Sequence, residues 1–264
     1  MKNKIIDIYC FTGTGNTYLA ARKIADTLQN RGYTANVKNM LQYASDKVDL
    51  SHTIGLGFTV AFWNTFPVVK DFIKNMPVSN GTDIFVFTTM GDSSLKTAAN
   101  FCCILEKKGY NIIGAEGFLM PNNFLFVQKK EKNALKIEKS YKKIEVFAEQ
   151  LINGNIKPYK TNLFFKICFI ITDFITNVWK TKIFQKIIKF KINKNKCTKC
   201  GLCYEICPVK NISVKDGYPV FNGIKCQLCM RCISYCHTHA IESFLLHKTY
   251  TALSSEEMRK WNKI

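Results

Sequence analysis

The stretch FTGTGNT, residues 11–17, follows the apolar run KIIDIY (4–9) and leads into a helical pattern from about Thr17 to Asn30. A strand, a glycine-rich turn and a helix in that order make a cradle for phosphate. Yet the turn carries no lysine or arginine, in a chain with 38 basic and 19 acidic side chains. A P-loop would end in Gly-Lys-Ser/Thr, and that ending is missing. A dinucleotide fingerprint needs a third glycine, where Tyr18 stands. It also needs an acidic residue about twenty positions on, and NVKNM (36–40) offers none. The design that remains uses main-chain N–H groups at a helix N-terminus, helped by the hydroxyls of Thr12, Thr14 and Thr17. Gly13 and Gly15 let the main chain come close to a ligand. Such a loop fits a single terminal monophosphate.

Working outward, TANVK (34–38), HTIGLGF (52–58), DIFVFTT (83–89) and NIIGAEGF (111–118) supply four more strands. Helices fit at 67–76, 94–108 and 131–153, and Gly154 and Pro158 close the region. Strands alternating with helices indicate a parallel sheet covered on both faces. Five of them predict a doubly wound α/β fold over residues 1–155, with its ligand at the carboxyl ends of the strands.

The first 150 residues resemble the flavodoxin family, whose phosphate loop reads (S/T)-x-T-G-x-T and binds FMN. The resemblance implies cofactor contacts from Thr12, Gly13, Thr14, Gly15, Asn16 and Thr17. TVAFWNTFP (59–67) follows the third strand and brings Ala61, Phe62, Trp63 and Asn64, with Trp63 or Phe62 as candidate stackers on the flavin. TTMGDSS (88–94) follows the fourth strand and matches the family's second flavin loop through Thr88, Thr89, Met90, Gly91 and Asp92. Leu95 stands where flavodoxins often carry an aromatic. FLMPNNF (118–124) ends the fifth strand near the same edge, either as a cofactor entrance or as a plain turn.

Eight of the twelve cysteines lie between Cys197 and Cys236. CTKCGLCYEICP sets Cys197, Cys200, Cys203 and Cys207 at C-x2-C-x2-C-x3-C, and CQLCMRCISYC repeats that spacing with Cys226, Cys229, Cys232 and Cys236. Structural zinc favours separated C-x2-C pairs, whereas two full quartets favour iron–sulfur ligation. In this arrangement the fourth cysteine of each quartet ligates the other cluster. Cys197, Cys200, Cys203 and Cys236 are therefore expected to hold one [4Fe–4S] cluster, and Cys226, Cys229, Cys232 and Cys207 the second. The region resembles bacterial two-cluster ferredoxins, with His237 where the second quartet usually has proline. Cys10, Cys102, Cys103 and Cys168 lie in apolar surroundings and receive no role.

A flavodoxin-like half followed by a two-cluster half resembles the EFR1-type flavodoxin–ferredoxin fusion proteins. That resemblance implies four regions. Residues 1–155 bind FMN, 156–195 form a basic helical connector, 196–245 form an α+β ferredoxin-like domain, and 246–264 form a tail with a short capped helix. It implies an electron-transfer protein that exchanges electrons between FMN, two [4Fe–4S] clusters and an external redox partner. The alternative is a flavin-dependent reductase of a small substrate fed by the clusters. No nucleophile–base pair stands out, so no catalytic side chain is assigned.

Residues 156–196 hold ten lysines and one acidic residue, Asp173, so the connector concentrates the positive charge. An acidic redox partner suits that surface. No nucleic-acid-binding motif accompanies the charge. Phe164, Ile167, Cys168, Ile171, Phe174, Ile175 and Val178 form a helical stripe with Lys166, Asp173 and Asn177 opposite. The expected reading is a helix packed between the two domains; contact with an anionic membrane is the second. The N-terminus MKNKIIDIYCF lacks the pattern of a secretory signal. Thiolate ligands then belong in a reducing compartment, and a cytoplasmic location is expected.

Overall fold

The computed structural model describes residues 1, 3–94, 96–124, 127–156, 162–178, 190–222, 226–243 and 250–263, with side chains up to residue 174 in the helix at 163–178. Leu95, Pro158, the connector from 179 to 189, and the side chains of Ile175, Asn177 and Val178 lie outside the described residues. Five parallel strands, β1 (Ile5–Cys10), β2 (Thr34–Asn39), β3 (Thr53–Thr59), β4 (Asp83–Met90) and β5 (Asn111–Leu119), form a sheet in the order β2-β1-β3-β4-β5. This is the flavodoxin-like doubly wound order. The chain leaves β1 for β2 on one side and returns to β3 on the other. The crevice that opens at this reversal lies beyond the carboxyl ends of β1 and β3.

Helices α1 (Asn16–Gln29) and α4 (Lys130–Asn153) cover one face of the sheet, and α2 (Pro67–Asn75) and α3 (Thr97–Lys107) the other. Pro67 sits in the first turn of α2, where its missing N–H costs nothing. Gly154 ends α4 in the left-handed region, at φ 68°. The alternation HTIGLGF has a packing reason. A Cβ on Gly55 would lie 2.5 Å from Phe85 Cζ, and one on Gly57 would lie 2.2 Å from Phe87 Cζ. The two glycines of β3 thus leave the space that the fully buried Phe85 and Phe87 rings fill on β4. Burying each ring contributes about 2–3 kcal/mol.

Helix α5 (Leu163–Val178) lies against the α3 side. Its inward contacts are Phe169 on Phe101 at 5.3 Å, Thr172 and Asp173 beside Asn64, and Asp173 paired with Lys70. The expected stripe is turned the other way: Phe164, Ile167, Ile171 and Phe174 are exposed, while Asp173 faces the body. Eleven of the sixteen positions of this helix are apolar, spread around its circumference, so periodicity alone left its orientation undetermined. Phe169 and the polar pair Thr172 and Asp173 decided it by meeting an aromatic ring and two polar partners.

The C-terminal module is α+β. Strands β6 (Lys191–Ile192) and β9 (Ile241–Glu242) pair antiparallel, as do β7 (Ile212–Lys215) and β8 (Tyr218–Phe221). Two one-turn helices, α6 (Leu202–Glu205) and α7 (Arg231–Ser234), complete it. The last helix, α8 (Ser255–Trp261), begins with a capping box between Ser254 and Glu257. It is a strap across both halves. Leu253, Met258 and Trp261 enter the α1 core, and Arg259 and Asn262 bind Glu205 of α6.

Candidate functional site

The crevice beyond β1, β3 and β4 contains a cavity of about 220 Å³. Thr12, Gly13, Thr14 and Asn16 form one wall, Ala61 and Phe62 a second, and Thr89, Met90 and Gly91 a third. Pro121, Asn122, Asn123 and Phe124, just after β5, line the same space, which makes the entrance reading of FLMPNNF the better one. The last wall comes from the far end of the chain: Leu228, Cys229 and Met230.

Residues 12–17, the expected phosphate loop, are buried. Gly15 caps α1 at φ 107°, a conformation open to glycine, and no side chain among the described residues caps that helix. Its first turn carries no acidic residue to neutralise the positive end of the helix. Thr12 Oγ1 accepts from Gly15 N at 3.0 Å, and Thr14 Oγ1 accepts from Asn123 Nδ2 at 2.6 Å. Both hydroxyls keep their own proton to donate. Thr17, expected to aim its hydroxyl at a phosphate, bonds instead to Thr59 Oγ1 at 3.0 Å and Thr89 Oγ1 at 2.7 Å. It ties the ends of β3 and β4 together. Asn16 donates to Pro121 O at 2.8 Å, while its buried Oδ1 has no partner among the described residues. That acceptor suits a ligand bearing a hydroxyl or N–H.

Phe62 and Trp63 occupy a two-residue turn closed by reciprocal main-chain bonds between Ala61 and Asn64, at 2.9 and 3.0 Å. Both have positive φ, 51° and 57°, which is costly for aromatic residues and holds them at the rim. Phe62 lines the cavity, with its ring edge-on to Phe124 at 5.6 Å. Trp63 lies off the cavity wall and is about half exposed, so the structure favours Phe62 as the aromatic neighbour of a ligand. Asn64 is buried against α5, Thr88 and Gly15 sit behind the lining, and Asp92 is exposed.

The two cysteine quartets have one backbone plan, repeated 29 positions apart. Positive φ occurs at Lys199, Gly201 and Lys210, and again at Leu228, Met230 and His239. Asn211 N donates to Cys207 Sγ at 3.2 Å, and Ala240 N donates to Cys236 Sγ at 3.2 Å. The turn after Cys236 closes as the one after Cys207 does, so His237 takes the place of Pro208 without altering the path. Cys197, Cys200, Cys203 and Cys236 line one cavity beneath the β7–β8 hairpin. Burial pushes the Cys203 thiol up to about 11, with Cys200, Cys236 and Cys197 adding to the push. Cys226 is raised to about 12 by burial, with Cys229 and Cys207 as its thiol neighbours. Cys232 is raised well above the usual thiol range by burial, with Cys229, Cys226 and Cys207 next in effect. Each quartet's fourth cysteine thus lies beside the other quartet's first three. Among the described residues no three metal-binding side chains converge as the ligands of a single ion do. Cys10 and Cys102 are buried thiols in the two cores.

Sequence patterns gave no hint of Arg231. Its side chain is completely buried between the two halves, with Phe11's ring 5.2 Å from the guanidinium. Nε and Nη2 both donate to Thr12 O, at 3.1 and 2.8 Å, and Nη1 donates to Ile206 O and Asn262 Oδ1, each at 3.1 Å. All of these acceptors are neutral, and among the described residues no carboxylate pairs with it. A buried cation without an anion is costly. Beside it lie the glycine-rich loop at Thr12 and the second cysteine array. Ala252 N also donates to Thr14 O at 2.7 Å, so the strap and the cysteine loop together clasp the cradle.

Residues 190–213 match the 4Fe-4S binding domain family, a span that includes the first quartet, Cys197 to Cys207. No curated protein matches the chain. Among solved structures, a flavodoxin from Streptococcus pneumonia TIGR4 is 16% identical, covering 56% of this chain and 97% of its own, with a TM-score of 0.43. A short-chain flavodoxin associated with a PDU bacterial microcompartment is 14% identical over 57% of this chain and 97% of its own, with a TM-score of 0.45. Rubredoxin oxygen:oxidoreductase from Desulfovibrio gigas is 14% identical over 58% of this chain, with a TM-score of 0.38, and the match spans 37% of that protein. The strand order, rather than these distant likenesses, establishes the flavodoxin-like fold of the first half. The family match supports a 4Fe-4S cluster at the span that holds the first quartet.

Proposed function

We propose that the chain is an electron-transfer protein that couples an FMN in the crevice to two [4Fe–4S] clusters in the C-terminal module. The reading rests on one observation above all: Cys229 belongs to the second quartet and also forms a wall of the phosphate-loop cavity. A bound flavin handles one or two electrons and each cluster one, so the pair interconverts the two kinds of traffic.

In this reading the α1 N-terminus and the loop amides hold the phosphate, with hydroxyl protons from Thr12 and Thr14. Asn16 Oδ1 receives a donor from the ligand, and Phe62 borders its ring. Cys197, Cys200, Cys203 and Cys236 hold one cluster, and Cys226, Cys229, Cys232 and Cys207 the other. Arg231 supplies the positive charge between the second quartet and the phosphate loop, which gives its burial a purpose. The excess of 38 basic over 19 acidic side chains suits an acidic redox partner.

Anaerobic reductive titration, followed by visible absorbance and low-temperature EPR, tests the reading. Flavin and iron–sulfur signals should both respond in one and the same protein species. A preparation in which either signal is absent or stays oxidised would contradict it.

A further inference from the structure

Helix α5 has one face fixed to the body and another with nothing described against it. Leu163, Phe164, Ile167, Ile170, Ile171 and Phe174 recur at helical spacing along the outward side, each about half to three-quarters exposed. Patches of this kind mark interaction sites rather than ordinary surface. The inward side is secured by Phe169, Thr172 and Asp173, so the exposed face is not the seat of the domain contact. No helix among the described residues is long and apolar enough to cross a membrane.

We propose that this face of α5 docks the protein on the surface of an anionic lipid bilayer. The charge pattern selects that occupant. Lys166 is exposed on the helix itself, and residues 156–196 carry ten lysines against a single acidic residue. That residue, Asp173, is partly exposed but paired with Lys70, which answers its charge. An apolar helical face within a lysine-rich stretch of sequence is the pattern of a helix that lies in the headgroup region. Docking against a second copy would instead bring two strongly positive chains together, an unfavourable approach. The helix would lie flat, with its apolar side chains among the upper acyl chains and Lys166 reaching the phosphates. This inference concerns attachment and is independent of the cofactors.

Flotation of the full chain with vesicles separates the outcomes. With phosphatidylcholine containing about one quarter phosphatidylglycerol, the protein should float, and much less so with phosphatidylcholine alone or at about 0.5 M salt. Ile170→Gln combined with Phe174→Gln changes only exposed positions and keeps good helix formers. It should leave the thermal transition in place and lower the bound fraction at least about tenfold. Lys166→Gln should weaken binding to anionic vesicles only. The proposal is overturned if the double variant floats like the parent. It is equally overturned if the parent stays unbound, whether as a monomer or as a dimer that the double variant dissociates. The dimer result would assign the face to a second copy.

Discussion

Arg231 Nη2 donates to Thr12 O at 2.8 Å, across 219 positions of sequence, and so joins the second cysteine loop to the phosphate loop. If its charge answers anions on both sides, removing the charge should matter most when those anions are present. Arg231→Met keeps much of the side-chain volume and loses the cation. We expect it to destabilise the cofactor-loaded protein by about 3 kcal/mol, and the stripped protein by clearly less. Urea unfolding of both forms measures the difference. Equal losses would make Arg231 a structural strut alone.

Gly13 packs directly on the second cysteine loop. A Cβ there would sit 2.6 Å from the main-chain oxygen of Cys229, an atom that cannot yield without moving the cysteine loop. Gly13→Val should therefore loosen the clasp and weaken flavin retention by at least about tenfold. Fluorescence of released flavin after gel filtration provides the measure. Unchanged retention would place the cofactor elsewhere.

Gly57 offers a contrast, because its constraint lies in the core and not in the site. Gly57→Ala would press on the Phe87 ring, and overpacking of this kind costs about 1–3 kcal/mol. Chemical denaturation should show that loss while flavin and iron contents stay at the parent's level.

The buried Asp7 on β1 predicts a pH response. Burial pushes its carboxyl up, but hydrogen bonds from Lys38, His52 and Asn36, with the Lys38 charge, outweigh it and hold the group below its ordinary value of 3.8. A lowered carboxyl pKa stabilises the fold fully above the ordinary value, and that stabilisation fades as pH falls through the lowered one. Asp7→Asn should lie below the parent in stability at neutral pH, and the gap should close as pH drops beneath 3.8. Urea midpoints across that range test it; a constant gap would contradict the assignment.

Much of this was legible in the sequence, for local reasons. Alternating apolar runs located all five strands, and β1 and β4 differ from their expected spans only at the ends. The cysteine spacing foretold that Cys236 would lie beside Cys203, because a quartet's fourth member starts the next turn and points away. Arg231 was hidden because its partners, Thr12, Ile206 and Asn262, are scattered along the chain. A charged residue in a cysteine loop reads as solvated until the other half covers it. Helix α5 was legible as a helix but not in orientation. The closing strap showed its Ser254 cap, while its role depended on Leu253 and Trp261 finding a distant core. Thr17 matched the loop pattern, yet two neighbouring strand ends captured its hydroxyl.

Composition analysis of the anaerobically purified chain, beside Cys229→Ser, tests the central assignment most directly. We predict about eight iron and eight sulfide atoms with one FMN in the parent, and roughly half the iron in the variant, with its flavin environment altered. Zinc in place of iron, four irons in the parent, or a flavin spectrum untouched by Cys229→Ser would contradict it.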